Sequence, residues 1–238
     1  MKKLLLSLVL IPLVLASCNK DPEPQPEEIR SYCSILSLVK QDDNITWVVD
    51  GIAVQDEQVY GSRILGAVLL DTDVEEISFT AENSSSGSII ESVLLTMEKD
   101  KHYLILLYGT ADDPLLEVKE LESIQPQSGY IRFQFLHASP DVDSVDVFMG
   151  STEVDDRVVS DLSFGEFSEA FEVIDYKARS SVTVATHDET YDPENEILYY
   201  DYNDLLVSGA TYLSILAYEI GDPDDTEAKL WLYDVPMP

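Results

Sequence analysis

The stretch IRFQFLHASPDVDSVDVFMG, residues 131–150, places two short apolar segments on either side of a turn. Every second residue of IRFQF (131–135) and of VDVFM (145–149) is apolar, which is typical of strands with one buried face. Pro140 sets φ for a turn between them, and the Ser139 or Asp141 side chain can accept backbone N–H groups there. The stretch therefore predicts two strands that reverse direction at HASPD.

The same pattern recurs along the chain after residue 30. Segments such as SVTVA (181–185) and KLWLY (229–233) are rich in β-branched and aromatic residues and are bounded by turn residues. No long segment has a convincing 3.6-residue apolar stripe, and only 53–58 is a candidate for a short helical turn. The pattern predicts an all-β fold of antiparallel β-sandwiches.

The two halves of the chain look like copies of one unit. Residues 34–51 match 131–150, ISFT (77–80) matches VTVA (182–185), and 101–108 match 210–217, in the same order. A repeat of this length suits two sandwich domains in tandem. We predict domains at 31–124 and 125–238, with the turn-rich QPQSG (125–129) at their join.

The start of the chain has the parts of a secretory signal. Lys2 and Lys3 precede the apolar run 4–15, which spans only ~18 Å against the ~30 Å that a membrane core requires. The following LASC (15–18) resembles the lipobox of bacterial lipoproteins. That resemblance implies a signal peptide at 1–17, cleavage after Ser17 and a lipid on Cys18.

Residues 18–30 follow as a proline-rich, acidic segment without apolar periodicity. Such a composition predicts a disordered, flexible tether that holds the folded part away from the membrane. Its acidic part also resembles the surface-export signal of Bacteroidota lipoproteins. The expected location is the bacterial cell envelope, at the outer membrane, on its periplasmic or its surface face.

Charge and cysteine content exclude several classes of function. The chain has 14 Lys and Arg against 46 Asp and Glu, a formal net charge of −32. Without basic clusters, neither nucleic acid nor an anionic lipid surface is expected as a charge-driven partner. Once Cys18 carries lipid, Cys33 has no partner for an intrachain disulfide.

The HASPD stretch, with its VDV and turn glycine (137–150), resembles the family called domain of unknown function 4397. LSFGEF (162–167) and the strand around Tyr212 are further features similar to that family. The first half has VKQDDN (39–44) in place of the motif and is interpreted as a diverged copy. The resemblance implies an exported, immunoglobulin-like β-sandwich and carries no known reaction, cofactor or site.

Catalytic motifs are missing from the sequence. The three histidines, His102, His137 and His187, are isolated, and no nucleophile elbow, zinc-binding helix motif or phosphate loop occurs. Some carboxylate pair is inevitable among so many acidic residues, so a hydrolase stays open only as a third alternative. We expect no enzyme activity and no cofactor, with calcium as the alternative.

Two weak candidate sites remain. Asp141, Asp143 and Asp146 lie in an oxygen-rich turn, as do residues 222–227, and calcium prefers such ligands, although neither segment fits an EF-hand loop. Tyr199, Tyr200 and Tyr202 form the second candidate, because tyrosine rings beside carboxylates make a platform for sugars or peptides. Core and edge-strand packing of the same rings is the alternative.

The sequence thus predicts a non-catalytic, membrane-anchored lipoprotein that displays tandem sandwiches for binding or adhesion. The alternative is a glycan-capture accessory lipoprotein of a polysaccharide uptake system. The expected partners are the membrane, through the lipid, and either a glycan or an envelope protein.

Overall fold

The computed structural model describes residues 30–39, 44–58, 63–69, 76–98, 101–122, 124–174, 179–188, 192–202, 205–218 and 228–235. The predicted signal peptide, Cys18, the tether before Arg30 and the acidic segment 222–227 lie outside these ranges. The described residues form β-strands and two short 3-10 turns, at Val154–Asp156 and Pro193–Asn195. None of them forms a helix that is long and apolar enough to cross a membrane.

The first sandwich consists of two four-stranded sheets. Its strands are β1 (Arg30–Ser37), β2 (Ile45–Val49), β3 (Ile52–Gln58), β4 (Arg63–Leu69), β5 (Ile77–Asn83), β6 (Ile89–Leu95), β7 (His102–Gly109) and β8 (Pro114–Leu121). The sheets have the strand orders β4-β1-β7-β8 and β3-β2-β5-β6. The segment 53–58, considered as a helical turn, is part of β3, where Ala53 pairs with Val48.

The second sandwich repeats this arrangement. Its strands are β9 (Tyr130–His137), β10 (Val145–Met149), β11 (Arg157–Leu162), β12 (Phe171–Ile174), β13 (Ser181–Thr186), β14 (Glu196–Asp201), β15 (Thr211–Tyr218) and β16 (Ala228–Asp234). The sheets have the orders β12-β9-β15-β16 and β11-β10-β13-β14, which correspond strand by strand to those of the first sandwich. The predicted all-β sandwich fold is confirmed.

Each sandwich contains one parallel strand pair among its antiparallel neighbours. β1 runs parallel to β7, with Tyr32 opposite His102, and β9 runs parallel to β15, with Arg132 opposite Thr211. Local alternation does not predict this pairing, because parallel neighbours are joined by long connections rather than hairpins. The pairing places these four strands in the middle of their sheets.

Strand registers refine the alignment of the two halves. Phe79 pairs with Val49 in the first sandwich, and Val182 pairs with Met149 in the second, so Phe79 corresponds to Val182. The sequence alignment placed Ile77 against Val182, two residues away. A shift of two keeps every side chain on the same face, so the alternation pattern alone cannot detect it.

Each sandwich encloses its own apolar core. In the first, Trp47 and Phe79 are buried between the sheets together with Ile105 and Leu107 of β7. The core of the second is more aromatic. It is centred on Phe133, whose ring lies 5.8 Å from Phe135, 5.5 Å from Tyr212 and 6.3 Å from Tyr202, between ring centroids.

A third apolar cluster, the inter-sandwich core, lies between the two sandwiches. It joins residues of the β4-β1-β7-β8 sheet to residues of the β12-β9-β15-β16 sheet: Leu36, Leu38, Leu104, Leu106, Tyr108 and Leu121 from the first, and Leu136, Ala138, Leu213, Ile215, Ala217, Tyr233 and Val235 from the second. β7 is therefore buried on both faces, which explains why YLILLY (103–108) is a continuous apolar run rather than an alternating one.

Truncation of Ile215 tests how far this core couples the two sandwiches. Ile215 is 0 % exposed, and Ile215→Ala is expected to lower the free energy of unfolding by about 2–5 kcal/mol through lost burial and a cavity. Ile89→Ala, at a side chain that is 65 % exposed, is the matched control and should cost less than about 0.5 kcal/mol.

Guanidinium unfolding followed by fluorescence and far-UV circular dichroism measures the effect. Trp47 reports on the first sandwich, and Trp231 packs against the inter-sandwich core. We expect coincident transitions that shift together in Ile215→Ala. Two separate transitions, with only one of them displaced, would show that the sandwiches unfold independently.

Candidate functional site

The three candidate tyrosines do not form one surface. Tyr199 is 57 % exposed and Tyr200 39 % exposed, whereas Tyr202 is 1 % exposed. The Tyr202 hydroxyl lies 2.9 Å from the Ser214 Oγ inside the second sandwich, and burial raises the pKa of Tyr202. Tyr202 is therefore a core residue and is not available to a ligand, contrary to the platform predicted from sequence.

Tyr199 and Tyr200 are neighbours on β14 and point to opposite faces of the sheet. Tyr199 lies opposite Thr183, and Tyr200 lies opposite the buried Val182. The Tyr200 ring leans on Tyr202, with 4.8 Å between centroids. Tyr199 is thus exposed on the outer face, and Tyr200 covers the edge of the core.

The three candidate calcium ligands do not converge either. Asp141 and Asp143 are exposed, whereas Asp146 is 2 % exposed and bound to other side chains. Its Oδ2 lies 3.2 Å from the Arg157 Nη1, and its Oδ1 accepts hydrogen bonds from the His187 Nδ1 at 2.8 Å and the Asp161 amide at 2.9 Å. In the described ranges no group of three His, Cys, Asp or Glu side chains is placed to hold a metal ion, and the structure does not bring Asp141, Asp143 and Asp146 together as ligands.

The cluster around Asp146 is an ionic contact on the outer side of the second sandwich. Burial raises the pKa of the Asp146 carboxyl, but hydrogen bonds from His187 and the Asp161 amide, with the Arg157 charge, outweigh it and hold that pKa below its usual value. The hydrogen bond to Asp146 in turn raises the pKa of His187. Arg157 also covers the Phe148 ring at 5.4 Å, so this cluster closes over an apolar side chain.

His137 organises the HASPD turn through its ring. Its Nε2 donates to the Val142 and Asp143 carbonyls at 3.2 and 2.9 Å, and its Nδ1 accepts from the Ser139 amide at 3.3 Å. These roles require the neutral tautomer with the proton on Nε2. Burial lowers the pKa of His137, which favours the same neutral form. The ring of His137 therefore holds the turn, and the Ser139 Oγ makes no hydrogen bond there.

The remaining histidine and thiol are also buried within the fold. The His102 Nε2 lies 2.8 Å from the Ser34 Oγ between β1 and β7. Burial raises the pKa of the Cys33 thiol to about 12. A thiol that stays protonated is a poor nucleophile, so Cys33 acts as a small apolar side chain.

The two family-like motifs of the second half meet at the junction with the first sandwich. The Gly165 amide donates to the His137 carbonyl at 2.7 Å, and the Phe164 ring lies edge-on to the His137 ring at 6.1 Å. Phe164 also packs edge-on against Tyr108 of the first sandwich at 5.6 Å. Gly165 has φ +82°, and a Cβ there would lie 3.1 Å from the Tyr108 hydroxyl. LSFGEF and HASPD therefore shape the contact between the sandwiches.

A cleft of about 270 Å³ opens beside this contact and is called the inter-sandwich cleft below. Its walls come from both sandwiches: Lys119, Glu120, Leu121 and Glu122 from the first and the segment after it, and Arg132, Gln134, Glu169, Ala170, Thr211, Tyr212, Leu213 and Val235 from the second. Sequence reasoning missed it because these residues are scattered over the chain and share no motif.

Two cation contacts at the cleft join one sandwich to the other. The Lys119 Nζ lies 4.8 Å from the centre of the Phe167 ring, and the Arg132 Nη2 lies 2.9 Å from the Glu122 Oε2. The Gln134 Nε2 donates to the Ser168 carbonyl at 2.8 Å. The segment joining the sandwiches is bound as well, because the Thr211 hydroxyl donates to the Ile124 carbonyl at 2.9 Å.

Residues 31–148 match the family described as domain of unknown function (DUF4397). The match begins in the first sandwich and ends on β10, after the HASPD turn, so it includes the half in which the sequence showed no motif. It supports the presence of this domain in the chain. No curated protein sequence matches the chain.

Several solved structures have a low similarity to the chain. One, of family 41 carbohydrate-binding modules from streptococcal virulence factors, has 10 % identity and a TM-score of 0.27, and the match covers 78 % of this chain and 93 % of that one. Another, of alpha-glucan binding by a streptococcal virulence factor, has 12 % identity, a TM-score of 0.27 and coverages of 84 % and 96 %. A family 26 module from Eubacterium rectale has 8 % identity, a TM-score of 0.24 and coverages of 87 % and 98 %. At this level, what those proteins bind says nothing about this chain.

The histidine environments predict an order of titration. His187 is expected to titrate above the ordinary value of 6.5 because Asp146 stabilises its charged form, and His137 below 6.5 because burial disfavours its charged form. Ring resonances followed by NMR between pH 4 and 9 measure both, with His187→Gln and His137→Gln for assignment. A higher pKa at His137 than at His187 would contradict the described contacts.

The two groups should act on stability in opposite directions. The contribution of His187 is fully present below pH 6.5 and is lost as pH rises through its raised folded pKa. The contribution of His137 is present above pH 6.5 and is lost as pH falls through its lowered folded pKa. The unfolding free energy of His187→Gln should therefore differ from that of the parent mainly at low pH. That of His137→Gln should differ mainly at high pH.

Proposed function

We propose, taking the DUF4397 match as the starting point, that this chain is a non-catalytic binding lipoprotein of the bacterial cell envelope, tethered by lipid on Cys18. The observation that carries the proposal is the inter-sandwich core. It unites the two sandwiches into one body with a cleft between them, which is an arrangement suited to presenting a surface at the end of a tether.

The chemistry of the described residues supports a binding rather than a catalytic role. Each of the three histidines is engaged in contacts that stabilise the fold, through Ser34, the HASPD carbonyls and Asp146. The Cys33 thiol is buried and protonated. A general base or nucleophile must be able to reach its substrate. The histidine rings are instead hydrogen-bonded within the fold, and the thiol is buried.

The location and the organisation of the chain belong to the same proposal. The lipobox-like LASC (15–18) and the acidic, proline-rich tether favour the outer membrane, on its periplasmic or surface face. We assign domains to 31–124 and 125–238. The identical strand orders support an origin of both from one duplicated unit, with the first as a diverged copy.

A glycan-capture accessory role in a polysaccharide uptake system is the second candidate. The exposed Tyr199 favours it, because an outward-facing aromatic ring on a sheet edge can stack against a sugar ring. The burial of Tyr202 weakens this candidate, since the two exposed rings, Tyr199 and Tyr200, lie on opposite faces of β14 and do not form one platform.

Lipid attachment is tested by replacing its predicted acceptor. When the full chain is expressed in a bacterial host that processes lipoproteins, we expect it to partition into the detergent phase of Triton X-114 and to incorporate labelled palmitate. Cys18→Ser should abolish labelling, because no thiol remains at this position to carry the lipid. Cys33→Ala is the matched control and should keep the palmitate label. Palmitate labelling of Cys18→Ser would refute the anchor.

A further inference from the structure

We propose that the inter-sandwich cleft binds a neutral saccharide, such as one or two sugar units of a longer glycan. This inference rests on the proposed binding function and assigns it a site and a ligand class.

The cleft exists only because the two sandwiches are packed together. Lys119 and Glu122 line it from one side and Arg132 and Gln134 from the other. The Lys119–Phe167 and Arg132–Glu122 contacts span the two sides, and the inter-sandwich core lies beneath them. A site held in this way is formed before the ligand arrives, which lowers the entropic cost of binding.

Several polar groups in the cleft have hydrogen-bonding capacity left. Among the described residues, Lys119 is in contact with an aromatic ring and in no ion pair, which is unusual in a chain with 46 carboxylates and 14 cations. Arg132 uses one of its N–H groups on Glu122, and Gln134 uses its amide nitrogen on Ser168 and keeps its Oε1. The cleft therefore offers donors and acceptors side by side, and a sugar hydroxyl can both donate and accept.

The charge around the cleft points to a neutral ligand. Lys119 and Arg132 face Glu120, Glu122 and Glu169, and Glu120 is paired with Lys101, outside the cleft. This near balance contrasts with the formal charge of −32 for the whole chain. An anion would meet three carboxylates and the field of the protein, and a cation would meet Lys119 and Arg132. A neutral, hydroxylated molecule is repelled by neither set of charges.

The size of the cleft fits a short ligand. Leu121, Leu213 and Val235 line it but belong to the inter-sandwich core and are almost fully buried, so the polar lining groups supply the contacts to a ligand. The volume of about 270 Å³ is slightly below that of typical ligand pockets, which run from roughly 300 to 1,000 Å³. It therefore accommodates a short portion of a glycan rather than a long segment.

Native affinity electrophoresis of the full chain in mild detergent tests the inference. The gels contain glycogen, dextran, xylan or galactomannan as neutral probes and polygalacturonate as the anionic probe. We expect at least one neutral probe to retard the protein. Lys119→Met, which removes the ammonium but keeps an unbranched stem over Phe167, should weaken that retardation about tenfold through the lost hydrogen bonds.

One control variant and one discriminating variant complete the design. Arg179→Met is the control: it removes one positive charge from a residue paired with Asp156 outside the cleft, matches the change in electrophoretic charge and should be retarded like the parent. Tyr199→Ala removes the exposed ring on β14 and tests the competing glycan site there; if the cleft is the site, its retardation also equals that of the parent. Unfolding curves that coincide with the parent show that each variant is folded.

The outcomes separate this inference from the proposed function. No retardation by any neutral probe, or retardation by polygalacturonate alone, refutes the neutral-saccharide site. Loss in Tyr199→Ala with Lys119→Met unchanged moves the glycan site to β14 and also refutes the cleft. In each case palmitate labelling that depends on Cys18 leaves the lipoprotein assignment standing, whereas labelling unaffected by Cys18→Ser refutes that assignment and says nothing about the cleft.

Discussion

The packing of one sandwich against the other through apolar side chains is the constraint on which the rest of the structure depends. In a strand with one buried face, apolar and polar residues alternate. β7 and β15 are different, because one face of each packs into the interior of its own sandwich and the other face packs against the neighbouring sandwich. Leu104 and Ile215 are buried for this reason, although they point away from the cores of their own sandwiches. Burial of this surface offsets the entropy of holding two sandwiches in one arrangement.

This constraint also accounts for the two family-like motifs of the second half, HASPD and LSFGEF, through their structural contacts. His137 is a neutral ring that holds a turn, and Gly165 has the positive φ that the neighbouring loop requires. Phe164 touches both His137 and Tyr108, so the turn, the loop and the first sandwich form one contact. A histidine in a recurring motif is thus a structural element here, because its donors and acceptors are satisfied by backbone groups.

The candidate sites show where sequence reasoning reached its limit. Tyr200 and Tyr202 lie on the same face, as their spacing predicts. At Tyr202, however, that face is buried in the core of the second sandwich. Asp146 follows a turn rich in carboxylates, yet its partners are Arg157, on β11, and His187, directly after β13. Period-two alternation assigns residues to two faces, and it does not say which face is covered or what covers it. The cleft was invisible for the same reason, since its walls meet only after two separate sandwiches have packed.

The sequence by itself determined the fold class and the order of the repeated strands, because alternation, turn residues and β-propensity act locally and survive in a linear pattern. It also carried the prediction of the lipid anchor, since a lipobox is a short contiguous signal. Only the tertiary structure decided that β1 pairs in parallel with β7, that Tyr202 and Asp146 are buried, and that a third core joins the sandwiches. Those features depend on contacts between residues far apart in the chain. The free energy of folding gained there depends on which surfaces pack together, and neighbouring residues in the sequence do not determine that.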